Sequence, residues 1–258
     1  MSRRILIIGA GNVGGALGQG WLECGHDVRF GVPDSTSDKY AALPKNRLQP
    51  ADERRDAEVV VLATPYAVAK DAAAALGDLS GTILIDCTNP LAMGADGLHL
   101  VIGHDSSGAE EIAKAAPSAS VFKTLNQTGA ENMAEAAAYR PKPMMFVAGD
   151  DAAKKPTVLA LVFDLGFQAV DAGPLSRARL LEPLAMLWIE LATKHGHARD
   201  FAFATVRHPD LPKLERSSLR ESQGPQPCQR HGAETRGHRH RQPGGLYHYR
   251  LAGRLLVE

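Results

Sequence analysis

An open α/β fold of doubly wound type, a parallel sheet with helices on both faces, is predicted for this 258-residue chain by three observations. The first is its opening, Arg4-Ile-Leu-Ile-Ile8, a short apolar run that passes directly into Gly9-Ala10-Gly11-Asn12-Val13-Gly14. Unbroken apolar runs mark strands buried on both faces. The second is recurrence: apolar runs at 27–32, 58–63, 82–86, 120–125, 144–148 and 168–171 have helix-compatible segments among them, as βα units do and as sandwiches and bundles do not. The third is punctuation. Two of the runs end in proline-containing loops, Thr64-Pro65-Tyr66 and Cys87-Thr-Asn-Pro-Leu91.

The opening is a dinucleotide-binding fingerprint. Gly9 permits the tight turn out of the strand, Gly11 lets backbone approach a pyrophosphate, and Gly14 lets the following helix pack close to the strand. The segment 12–24 supplies that helix, and the amides at its start favour an anion without a basic side chain. A glycine-rich turn alone is a weak signal; a buried strand before it and a crossover helix after it make it a specific one.

The run 27–32 is the second strand, whose end is expected beside the adenosine ribose. An acid there suits NAD, and Ser, Asn or Arg there suits the 2′-phosphate of NADP. The chain offers Gly31-Val32-Pro33-Asp34. Asp34 has the spacing of a ribose acid, but Pro33 before it argues for a turn or helix-cap residue. Lys39 lies within reach from the next helix.

Ligands of an open parallel sheet lie beyond the carboxyl ends of its strands, so Thr64, Pro65, Asn89 and Pro90 fall where a nicotinamide would lie. The alternative, that each X-Pro only stops a strand, stays open for either loop taken singly. Further helices are expected at 107–116 and 129–138 and after Gly149-Asp150-Asp151. The longest helical segment, 175–195, carries Leu180, Leu184, Leu187, Ile189 and Leu191 on a broad apolar face. Pro183 should end or kink it, giving a bent pair that packs on the sheet or on another subunit.

Three units follow: a nucleotide-binding domain at 1–150, a small mainly helical domain at 151–207, and a tail at 208–258. The tail has no Ile, Phe, Met or Trp, cannot build a core, and is expected to be solvated and disordered. No run approaches the ~20 apolar residues of a membrane span, and the run after Arg3-Arg4 is too short for a secretory signal. Cys24, Cys87 and Cys228 lack metal or redox spacing. No metal site and a cytoplasmic location are expected. Lys plus Arg number nine against five acids from His208 onward and 20 against 24 before it, so the body is mildly acidic and shows no nucleic-acid footprint.

Together the glycine turn, Asp86-Cys-Thr-Asn-Pro-Leu91, Ser107-x-x-Glu110, Val121-Phe-Lys-Thr-Leu-Asn126, Gly149-Asp-Asp151 and, most distinctively, Asp171-Ala-Gly-Pro-Leu-Ser-Arg-Ala-Arg-Leu-Leu-Glu182 resemble the family of NADP reductases dependent on coenzyme F420, a 5-deazaflavin. The resemblance is collinear from Arg4 to Arg207 and stops there, which raises a frame change in the coding sequence as a second reading of the tail. It implies a Rossmann domain with a small helical C-terminal part, usually dimeric, and direct hydride transfer between nicotinamide and deazaflavin. Carried over by position, Ala10, Gly11, Asn12 and Val13 would hold the pyrophosphate. Val32 and Pro33 would flank the adenosine ribose, and Thr64, Asn89, Thr124, Leu125 and Asn126 would line the nicotinamide pocket.

Hydride exchange between two cofactors needs alignment more than acid or base help, so no catalytic side chain is nominated, and the scattered histidines read as surface or turn residues. The chain departs from the family in having Val32-Pro33 where a Ser-Arg pair would grip the 2′-phosphate; NAD is therefore admitted beside NADP. An NAD(P)-dependent reductase of another small acceptor and a nucleotide-binding regulator without turnover remain as alternatives.

Overall fold

The computed structural model describes residues 1–206 other than 42, together with 208; the rest of the expected tail lies outside the described residues. The chain opens with β1 (Arg4–Ile8), α1 (Asn12–Glu23), β2 (Asp27–Val32), β3 (Leu48–Pro50), β4 (Val59–Leu62), α2 (Tyr66–Ala75) and β5 (Ile83–Asp86). A hairpin of β6 (Leu91–Gly94) and β7 (Gly97–Leu100) precedes α3 (Gly108–Ala115), β8 (Ser120–Lys123) and α4 (Ala130–Ala134). Then come β9 (Met144–Gly149), α5 (Lys155–Asp164), β10 (Gln168–Gly173) and α6 (Ala178–Lys194).

Eight strands form one sheet in the order β10-β9-β8-β5-β4-β1-β2-β3. From β3 to β8 every pairing is parallel, as the apolar runs predict. At β9 the sheet departs from the expected parallel arrangement: β9 is antiparallel to β8, and β10 runs parallel to β9. The chain winds outward from β1 to β3 and resumes on the other side of β1 at β4, which makes the crevice between β1 and β4 a topological switch point.

Period-two alternation divides the strand side chains between two faces. Ile5, Ile7, Val59, Val61, Ile83, Ile85 and Phe122 pack with Leu17, Trp21 and Leu161 of α1 and α5. Leu6, Ile8, Val60, Leu62, Leu84 and Val121 pack with Ala69, Ala73 and Ile112 of α2 and α3. Trp21 Nε1 also donates to the Leu161 carbonyl at 2.9 Å, tying α1 to α5. Asp151 fixes the turn that leads into α5 by accepting from the amides of Ala153 and Lys154, both at 3.0 Å. The boundary expected after residue 150 falls between β9 and α5, and β10 beyond it lies in the same sheet as β1.

Of the two outcomes expected at Pro183, an end to the helix is corrected. Helix α6 runs unbroken from Ala178 to Lys194 with Pro183 inside it. At the sixth helical position the ring removes one i→i−4 bond close to the helix start, and neighbouring residues fix that turn from outside through Glu182 and the Leu181 carbonyl. Its buried stripe also differs from the expected one. Leu181, Glu182, Ala185, Trp188 and Ala192 face inward, whereas Leu180 is 63% and Leu187 51% exposed.

Candidate functional site: a nucleotide crevice

The sheet register gathers the site. Gly31 pairs with Ile8, Ile8 with Leu62, Leu62 with Asp86, and Asp86 with Lys123, so five strands end in one row. Every sequence-predicted site residue belongs to a segment that leaves this row on its carboxyl side. Gly9, at φ 101°, binds the β2 end through its amide to the Gly31 carbonyl at 3.0 Å. A Cβ there would meet the Ala63 carbonyl oxygen at 2.6 Å and Thr64 Cγ2 at 3.2 Å. The glycine turn is thus wedged against the β4 loop. A Cβ on Gly14 would lie 2.0 Å from the Gly9 oxygen, whereas one on Gly11 would meet nothing within 4 Å. The two outer glycines are required by the fold, and the middle one faces open space beside the first turn of α1, which no side chain caps. That is the arrangement an anion at backbone amides needs.

At the end of β2 the predicted residues divide. Val32 is fully buried in the core, backbone included, so it does not present to a ligand the surface expected of it; Pro33 is exposed. Asp34 is a turn residue, accepting from the Thr36 amide at 2.9 Å and the Thr36 hydroxyl at 2.6 Å. These bonds hold its carboxyl below the ordinary value, the hydroxyl having the larger effect. Lys39 lies 5.7 Å from the centre of the Tyr40 ring.

The loops after β4, β5 and β8 supply the other end. Asn89 and Asn126 form a reciprocal pair: Asn89 Nδ2 donates to the Asn126 carbonyl at 2.9 Å, and Asn126 Nδ2 donates to Asn89 Oδ1 at 3.0 Å. Leu125 between Thr124 and Asn126 has φ 56°, which costs a non-glycine residue ~1–2 kcal/mol. Its fully buried side chain in the core holds it there, and the turn re-aims the chain at the row's end. Leu125, like Val32, is fully buried with its backbone and presents no surface to a ligand. Among the described residues three buried side-chain polar atoms have no hydrogen-bond partner, and two of them are the hydroxyls of Thr64 and Thr124. Unpartnered buried hydroxyls are costly, and these two follow β4 and β8, the strands on either side of β5 at the predicted crevice. Pro65 caps α2, and Pro90 packs toward Gly108.

Beneath these loops lies a cluster that sequence reasoning missed. Lys123 Nζ is 2.8 Å from Asp86 Oδ2 and 3.0 Å from Glu182 Oε1, and all three side chains are fully buried. Burial would lower the lysine's pKa, but the two carboxylates reverse this and hold it above its ordinary range. The available signal was a lysine inside an apolar strand. Tyr66 beside the cluster is pushed up to about 12, by burial first and Glu182 second, and stays protonated. Burial also raises the Cys87 thiol, leaving it inert. The distinctive 171–182 string is explained by contacts it makes: Asp171 with Lys155 at 2.8 Å, Arg179 with Glu110 at 2.7 Å, and Glu182 with Lys123. Ser107 caps α3, its hydroxyl accepting from the Glu110 amide at 3.2 Å and donating to Glu110 Oε2 at 2.7 Å. Among the described residues no group of acids, histidines and cysteines could hold a metal, and no helix is long and apolar enough to cross a membrane.

The family model described as NADP oxidoreductase, coenzyme F420-dependent, matches residues 4–90. A candidate F420-dependent NADP-reductase from Arthrobacter sp. FB24 is 32% identical over 80% of this chain and 100% of its own, with a TM-score of 0.73. A hypothetical protein from Sinorhizobium meliloti is similar at 22% identity over 70% of this chain and 90% of its own, with a TM-score of 0.60. A reductive aminase from Aspergillus terreus in complex with NADPH4 shares the fold at 20% identity, covering 76% of this chain and 63% of its own, with a TM-score of 0.54.

Proposed function

Because the chain belongs to the NADP oxidoreductase, coenzyme F420-dependent, family, we propose that it transfers a hydride between NADP(H) and the deazaflavin coenzyme F420, in the cytoplasm and as a homodimer. The observation that carries the reading is the row of strand ends, with open backbone at Gly11 on one side and the unpartnered hydroxyls of Thr64 and Thr124 on the other. When bound, the two cofactors supply the hydride chemistry themselves. The chain's residues bind, align and exclude water.

In this reading the backbone from Gly9 to Gly14, including Ala10, Asn12 and Val13, holds the pyrophosphate. Pro33, with Val32 buried behind it, flanks the adenosine ribose. Thr64, Pro65, Asn89, Pro90, Thr124 and Asn126, with Leu125 buried behind them, form the nicotinamide subsite. The Asn89–Asn126 pair keeps the two loops at a fixed separation, so the ring is oriented by preset groups rather than by closure. No side chain is assigned as acid or base.

The homodimer is supported by α6. Leu180, Leu184, Leu187 and Leu191 recur at spacings of four, three and four, and Leu180 and Leu187 are more than half exposed. A leucine stripe of that spacing suits a facing helix.

Purified protein mixed with NADPH or NADH and oxidised F420, followed by the absorbance of both cofactors, tests the activity. Loss of the reduced nicotinamide together with the oxidised deazaflavin is expected. Turnover only with another acceptor would assign a different reductase on the same site, and tight nucleotide binding with no turnover would assign a regulator.

A further inference from the structure

Lys123 ends β8 in the row of strand ends, and its ammonium uses all three of its donors. It binds Asp86 Oδ2 at 2.8 Å, Glu182 Oε1 at 3.0 Å and the Thr88 carbonyl. The acceptors come from two segments, the end of β5 with Asp86 and Thr88, and helix α6 with Glu182. Asp86 ends β5 and, through Oδ1, accepts from the Thr88 amide at 2.8 Å and the Thr88 hydroxyl at 2.7 Å, fixing the loop that presents Asn89. Glu182 lies on α6 and also accepts from the Gly108 and Ala109 amides at 2.8 and 3.1 Å, starting α3. The residue before it, Leu181, offers its carbonyl to Asn126 Nδ2 at 3.2 Å. On the other side of Lys123 in sequence is Thr124, with its unpartnered hydroxyl.

Three charges buried from water in this way are poor stabilisers against apolar side chains of the same volume, because desolvation consumes most of the attraction. What such a cluster does well is fix one geometry, since any other arrangement leaves a buried charge without its partners. Here the geometry that it fixes is the mutual position of the 86–89 loop, the 123–126 loop and the first turns of α6.

We propose that Lys123 is a positioning residue for the nicotinamide half of the cofactor, locking Asn89, Thr124 and Asn126 into the single arrangement that receives the ring. This rests on the nucleotide-binding reading above. It separates the two halves of the cofactor: the adenosine and pyrophosphate half rests on β1, α1 and β2, which make no contact with the cluster's hydrogen bonds.

The test compares NADP with its truncated relative 2′-phospho-ADP-ribose by titration calorimetry, on the full chain. Lys123→Met should weaken NADP about tenfold or more, the scale of a ring displaced by a fraction of an ångström to an ångström. The truncated ligand should change by no more than about twofold, as for independent sites. Since a lone methionine leaves two buried carboxylates facing each other, the charge-conserving pair Lys123→Met with Glu182→Gln is measured alongside, and the same selective loss is expected. Equal affinities of either folded variant and the parent for NADP would overturn the proposal. So would parallel losses for both ligands, which would make the cluster a support of the whole fold. A parent chain that binds neither ligand would instead defeat the nucleotide-binding reading itself.

Discussion

A Cβ on Gly14 would stand 2.0 Å from the carbonyl oxygen of Gly9 and 3.2 Å from Ile7 Cγ2, so α1 is seated on β1 more closely than any side chain permits. Gly14→Ala is expected to destabilise the fold by about 1–3 kcal/mol, the usual cost of overpacking, seen as a lower Tm. Gly11 is the contrasting case. It has φ −78° and nothing within 4 Å of a built Cβ, so Gly11→Val should leave Tm nearly unchanged while weakening NADP and NAD alike. Unchanged affinity for both nucleotides would remove the pyrophosphate from this turn.

In the proposed reading the end of β2 governs nucleotide choice. A 2′-phosphate there would meet Pro33, which has no donor, and the ionised Asp34, whose nearest bonds are to Thr36. Weak discrimination between NADP and NAD is therefore expected. Arginine offers two parallel charge-assisted hydrogen bonds, so Pro33→Arg should improve NADP binding by ~1–3 kcal/mol and leave NAD nearly unaffected. A parent that already prefers NADP a hundredfold, with nothing gained from the substitution, would assign the phosphate to Lys39 or another cation.

Arg179 grips Glu110 with Nε and Nη2 at 2.9 and 2.7 Å and, with the Ser107 hydroxyl, holds the carboxyl below its ordinary value against a smaller effect of burial. A depressed pKa contributes stability that is present above the unfolded value, ~4.3, and is lost as pH falls through the lower folded value. Glu110→Gln should therefore be less stable than the parent at neutral pH, and the gap should close progressively in acid. Urea unfolding across a pH series measures this. A gap independent of pH down to the acid limit would assign the loss to shape rather than charge.

The leucine stripe of α6 makes an assembly prediction. Leu180→Glu with Leu187→Glu should convert a dimer to a monomer in sedimentation experiments without lowering the helix content of the chain, because neither side chain belongs to the buried stripe. A parent that sediments as a monomer, or a double variant that stays dimeric, would remove α6 from the interface.

The parallel core of the sheet was legible because buried strands write themselves as unbroken apolar runs; β2 matches its predicted bounds, Asp27–Val32. The tight glycine turn between β1 and α1 was legible for the same local reason. Strand β3 was not, since Leu48-Gln-Pro50 is an edge strand of three residues containing a proline, and edge strands carry little pattern. The hairpin after Pro90 was signalled only by Gly94-Ala-Asp-Gly97, with Gly97 at φ 105°. On α6, sequence periodicity found an apolar face but chose the large leucines, whereas Trp188 with the small Ala185 and Ala192 is what the protein buries. The Lys123 cluster joins residues 37 and more positions apart, and nothing local in sequence announces such a pairing beyond a charge at a strand's buried end. The motif string 171–182 was recognisable as a whole, and its physical meaning, ion pairs back to α3, α5 and β8, required the fold.

The most direct test of the account follows the hydride itself. NADPH carrying deuterium at C4 of the nicotinamide, incubated with the protein and oxidised F420 and quenched within a single turnover, yields reduced deazaflavin for mass spectrometry. Direct transfer between aligned rings predicts one deuterium in the product from one of the two C4-labelled forms and none from the other. Reduced deazaflavin without label from either form, or no reduction with NADPH or NADH, would contradict it.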